Sequence, residues 1–148
     1  MSVIGSLIVL VVVLAACAAA GFGLRARQGR FRRERPQAAA KDALTAADLG
    51  APLGERATLV QFSTEFCAFC GPTRELLAEL ASERDGVAFV EIDAADRMDL
   101  TRRLRVMSTP TVLVLGAGGA IERRSSGQQR KSDLLAAVGA VLAGGGGS

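Results

Sequence analysis

Between Val3 and Leu24 the chain runs for 22 residues without a formal charge, mostly Val, Leu, Ile, Ala and Gly. A helix rising about 1.5 Å per residue carries that run across roughly 33 Å, enough for a hydrocarbon core. A globular helix of this length keeps a polar face, and this one has none. The pattern predicts one transmembrane helix over residues 1–24. Residues 25–44 then turn polar and arginine-rich, pass through Pro36 and an alanine run, and read as a juxtamembrane linker. At the far end, residues 144–148 (Gly-Gly-Gly-Gly-Ser) read as a flexible tail.

Residues 45–143 carry the periodicities of a folded domain, about a hundred residues around one core. Thr45-Ala46-Ala47-Asp48 can cap a short helix. The β-branched and apolar run Ala57 to Ser63 predicts a buried strand. From 68 to 84, apolar Leu76, Leu77, Leu80 and Ala81 alternate with Arg74, Glu75, Glu79 and Glu83 at helical spacing, and Asp85-Gly86 stops the helix. Val87 to Asp93 predicts a second buried strand and residues 96–104 a charged helix. Thr111 to Leu115 predicts a third strand, followed by a glycine turn and a fourth strand over 120–125. Ser132 to Leu142 closes the domain as a helix with Asp133 in its first turn. The order β-α-β-α-β-β-α combines strand–helix–strand units with one hairpin. It predicts an α/β fold, a mixed four-stranded sheet with helices on both faces.

Charge sharpens the front of the chain. The net +3 divides unevenly: residues 25–40 hold six Arg against Glu34, giving +5. Residues 41–148 hold 12 basic and 14 acidic residues, giving −2. Basicity therefore belongs to one short run and not to a folded face, which argues against a nucleic-acid partner. The positive-inside rule places residues 25 onward in the cytoplasm with the N-terminus outside, and the arginines are positioned to touch anionic lipid. A competing reading is an exported lipoprotein or extracytoplasmic domain, because Leu14-Ala15-Ala16-Cys17 resembles a lipobox. Against it, no Lys or Arg precedes the apolar run, and that run continues past Cys17. The preference for Arg over Lys fits a GC-rich bacterial source.

The absence of His rules out His-based triads and imidazole metal ligands. Chemistry concentrates instead at Cys67-Ala68-Phe69-Cys70, directly after a strand and at the start of a helix. There the free N–H groups and helix dipole favour a thiolate, drawing a Cys pKa from about 8.5 towards 7 or below. A spacing of three puts the second thiol one turn along, close enough to form a disulfide. The first thiol can then attack a substrate disulfide and the second resolve the mixed disulfide. With no further Cys pair and no His, a structural zinc site is not expected, and no cofactor is implied. An inert pair of core cysteines is the alternative from the pair alone. Forty residues on, Thr109-Pro110 enters the third strand as a candidate cis peptide.

Taken together, Phe62-Ser63-Thr64-Glu65-Phe66-Cys67-Ala68-Phe69-Cys70, Val90-Glu91-Ile92-Asp93 and Val106-Met107-Ser108-Thr109-Pro110-Thr111 resemble the thioredoxin family over roughly 45–143. The resemblance implies a thioredoxin-like fold with Cys67 as nucleophile and Cys70 as resolving thiol. It places Pro110 as a cis-proline, Thr109 as the residue whose backbone pairs with an extended substrate, and Phe66 at the substrate edge. It implies a membrane-tethered thiol–disulfide oxidoreductase acting as a monomer on disulfide-containing proteins, with an electron donor or acceptor the sequence does not name. A cytoplasmic domain would act mostly as a reductant.

Four departures stand out. Phe66 replaces the usual Trp, Ala68-Phe69 replaces Gly-Pro, and Pro72 comes early for a helix starting near Ala68. Gln61 replaces a buried Asp, and a neutral amide is no base; Glu65 or water is left as a stand-in. A second register also reads through Phe69-Cys70-Gly71-Pro72-Thr73, making Cys70 a monothiol nucleophile. The distance from Phe62 favours the first. The contrasting functional class is a peptide-binding module with little redox turnover, supported by the departures at 61 and 66 and opposed by the intact cysteine pair.

Overall fold

The computed structural model describes residues 3–27, 29–35 and 41–145. The linker stretch from Pro36 to Ala40 and the last three residues of the tail lie outside the described residues. Helix α1 spans Val3–Arg27, with none of its residues buried, and is long and apolar enough to cross a membrane. Strand β1 is the pair Arg32–Arg33. Then follow α2 (Ala46–Leu49), β2 (Ala57–Ser63), α3 (Cys70–Ser82), β3 (Val87–Asp93), α4 (Met98–Arg103), β4 (Thr111–Gly116), β5 (Ile121–Ser126) and α5 (Lys131–Gly144).

Every residue of β2 is buried, as expected of a central strand covered on both faces. It pairs in parallel with β3, from Ala57↔Val87 to Ser63↔Asp93, and antiparallel with β4, from Ala57↔Gly116 to Phe62↔Thr111. A hairpin turned at Gly119, with φ +84°, brings β5 back along β4. The mixed sheet has the order β1-β5-β4-β2-β3. It contains five strands, one more than the sequence predicts. The addition is β1, inside the stretch read as linker, and α5 runs on through Gly144.

Strand alternation sorts the core into two layers. Leu59, Val112 and Val114 face Leu77 and Leu80 of α3 and Leu134 and Val138 of α5. Val60, Phe62, Leu113 and Leu115 face the other way, towards Leu49 of α2 and Leu100 of α4. Helices therefore cover both faces.

Thr45 caps α2 in a reciprocal capping box with Asp48. Asp48 also accepts a 3.0 Å hydrogen bond from Arg103, and its carbonyl accepts one from Arg97 at 2.7 Å, tying α2 to α4. The hydrogen bonds from Arg103 and Thr45 lower its pKa from 3.8 to about 2. Because the folded value lies below the unfolded one, the stabilisation is full above about pH 4 and is lost as pH falls to about 2. Asp48→Asn is therefore expected to melt below the wild type near neutrality, with the gap closing across that window. Melting temperatures of both proteins in detergent check this; a gap unchanged at the acid end would contradict it.

Candidate active site

Strand β2 ends at Ser63, and the chain makes two tight turns before α3 begins. Cys67 N–H donates to the Thr64 carbonyl at 3.2 Å, and Cys70 N–H donates to the Cys67 carbonyl at 3.3 Å. These turns set the two Cα atoms 5.4 Å apart, and the sulfurs are joined in a disulfide. The helix starts at Cys70, later than the 68 expected. Pro72 consequently occupies the first turn, where backbone N–H groups have no intrahelical acceptor, so its missing N–H costs no bond. Cys67 lies before the helix and is half-buried, whereas Cys70 is its first residue and only 2% exposed.

Gln61 alternates with Leu59 on the α3 side of β2 and is completely buried. Its Nε2 donates to the Cys70 carbonyl at 2.9 Å, and its Oε1 is buried without a partner among the described residues. The amide thus holds the first turn of α3 in place and contributes no titrating group. Glu65 is exposed on the loop.

The peptide between Thr109 and Pro110 is cis. Thr109 Oγ1 lies 3.2 Å from Thr64 Oγ1, so the structure brings this loop against the cysteine loop. Pro110 itself is buried, whereas its neighbours Ser108 and Thr109 are reachable. Phe66, 93% exposed, stands beside Cys67 with its ring in solvent.

Two groups of residues were not foreseen. Phe69 (47% exposed) and Met107 (91% exposed) join Phe66 as exposed apolar side chains on the loops that carry Cys67 and Thr109. Only the folding of residues 66–69 and 107–109 towards each other reveals them. Behind the site, Arg74 makes a bidentate pair with Glu91 (2.6 and 2.7 Å), and Ser63 Oγ donates to the same carboxylate at 2.7 Å. The Arg74 guanidinium holds the Glu91 carboxyl below the usual range. This cluster joins the end of β2, β3 and α3 under the cysteine loop.

The fold and site define a redox-dithiol protein: two cysteines at exchange spacing, the outer one reachable, beside a cis-proline loop. Comparison with known proteins gives the family. The Thioredoxin family model matches residues 44–140, and the chain belongs to the thioredoxin family. It is 29% identical over 77 residues to the thioredoxin H-type of Fagopyrum esculentum, a match covering 52% of this chain and 65% of that relative's length. Among solved structures, chloroplastic thioredoxin z is similar with a TM-score of 0.53 and 25% identity, over 60% of this chain and 80% of that one. A mutant thioredoxin from Halobacterium salinarum shares the fold at TM-score 0.53 and 20% identity, over 60% of this chain and 76% of its own.

Proposed function

We propose that this protein is a membrane-tethered thiol–disulfide oxidoreductase, in which Cys67 attacks and Cys70 resolves. The observation that carries the reading is the Cys67–Cys70 disulfide, with the outer sulfur on a half-buried residue and the inner one on a buried helix-start residue. In the reduced protein the Cys67 thiolate attacks one sulfur of a partner disulfide, forming a mixed disulfide and expelling the partner's other sulfur as a thiolate. Cys70, as thiolate, then attacks Cys67 Sγ, and the partner's second sulfur leaves. Two electrons have moved, the partner is a dithiol, and a dithiol donor restores the Cys67–Cys70 pair. Thr109, Pro110 and Phe66 border the partner's extended chain, with Thr109 offering its backbone. The register through Cys70 alone finds no support in a sulfur so deeply covered.

In this reading residues 1–24 are the span, 25–44 the juxtamembrane segment, 45–143 the redox domain and 144–148 the tail. The arginines of residues 25–35 keep the domain in the cytoplasm, where it reduces disulfide-containing proteins. An impermeant maleimide applied to intact cells expressing the Cys17→Ser chain tests the orientation. Cys67 is expected to remain unlabelled until lysis and to label afterwards; prompt labelling before lysis would place the domain outside.

A further inference from the structure

Little chain separates the membrane helix from the redox domain. Helix α1 runs to Arg27, and the Gly29 N–H already donates to the Ser126 carbonyl at 2.8 Å. Arg32 and Arg33 then pair with Arg124 and Arg123, and the Glu34 N–H reaches the Glu122 carbonyl at 3.3 Å. At Gly29, φ is +78° and a Cβ would lie 1.9 Å from the Gln128 carbonyl oxygen, so only glycine allows this approach. A single residue separates the helix from its first bond to the domain.

This junction opens a groove of about 940 Å³ between the last turns of α1 and the redox end of the domain. Gly21, Leu24 and Arg25, at helical spacing on one face, form one wall. Phe69, Ser108 and Thr109 form the other, and residues 126–130 the floor. Thr109 is the residue whose hydroxyl meets the cysteine loop. The uncharged run ending at Leu24 fills a hydrocarbon core, so a wall made of Leu24 and Arg25 stands at the headgroup layer. Among the described residues, two guanidinium groups, Arg25 and Arg130, and no carboxylate line the groove, which suits a phosphate-rich or acidic setting.

We infer that the Cys67–Cys70 pair serves cysteines held at the membrane surface, on an extended juxtamembrane segment of an integral membrane protein lying in this groove. The inference rests on the oxidoreductase reading above and narrows its substrate. A soluble protein must bring its disulfide into the headgroup layer, whereas such a segment is already there at high effective concentration.

The test uses the full chain in vesicles of equal parts phosphatidylcholine and phosphatidylglycerol, against a variant with about 20 Gly/Ser residues inserted between Arg27 and Gly29. The insertion leaves β1 and the redox loops intact and frees the domain from α1. Two probes are compared, a pyridyl disulfide on a phosphatidylethanolamine headgroup and the same group on a water-soluble peptide. In both, the Cys67 thiolate displaces pyridinethione. The insertion is expected to slow the lipid probe about tenfold and leave the soluble one unchanged; equal slowing of neither or both would overturn the inference. A second measurement does not depend on turnover: a fluorophore on Cys67 in the Cys17→Ser, Cys70→Ser chain, with nitroxide-headgroup lipid as quencher. Strong quenching that the insertion relieves supports the groove's position, and quenching indifferent to the insertion refutes it. Strong quenching with no reaction of either probe would instead remove the oxidoreductase reading.

Discussion

Replacing Cys67 by Ser is expected to bring catalysed disulfide reduction down to background, a loss on the order of 10³-fold or more. A hydroxyl is neither ionised near neutrality nor able to enter sulfur exchange, so the first bond is never formed. Cys70→Ser is expected to act differently. Cys67, the half-buried member of the pair, still attacks, but nothing expels the partner, and the mixed disulfide accumulates as a covalent adduct. Turnover on a soluble peptide disulfide, with non-reducing electrophoresis of the adduct, distinguishes the two variants. If Cys67→Ser retained activity while Cys70→Ser lost it, Cys70 would be the nucleophile and the assignment made here would be reversed. Wild-type rates in both would leave a binding module.

The second large effect is on stability. Phe62 is completely buried near the end of β2, one residue from the loop that carries the cysteines. It belongs to the core layer with Ile92, Leu100 and Leu113. Phe62→Ala removes most of an aromatic side chain and leaves a cavity that a central strand cannot collapse to fill. The expected cost is about 3–5 kcal/mol, a large share of the roughly 5–15 kcal/mol that holds a domain folded. Denaturant unfolding of the full chain in detergent measures it. A loss below about 1 kcal/mol would show that Phe62 is not a packed anchor.

Apolar runs mark β2, β3 and β4 in the sequence to within a residue. β2 and β4 are buried along nearly their whole length, whereas β3, which the sequence reads as buried, is an edge strand with only Val90 and Ile92 buried. The cysteine pair and Thr109-Pro110 are legible because few residue types support that chemistry. β1 is not legible: Arg32 and Arg33 join the sheet through backbone bonds, and no apolar alternation announces them. Helical periodicity starts α3 two residues early, because it continues backwards into turns that only the Thr64 and Cys67 carbonyls define. Gln61 was recognisable as an amide in place of an acid, but its bond to the Cys70 carbonyl depends on strand register. The same holds for the Ser63, Arg74 and Glu91 cluster, which links residues as far as 28 positions apart.

The short pairing of β1 with β5 has another consequence. A sheet edge with free N–H and C=O groups invites a strand from another molecule. Here the outer side of β5 is partly covered by the same arginine segment that follows helix α1. A domain released by proteolysis behind Arg33 would lose that cover, baring the β5 backbone as a seam for self-association. Protection of that edge is thus vested in one two-residue strand.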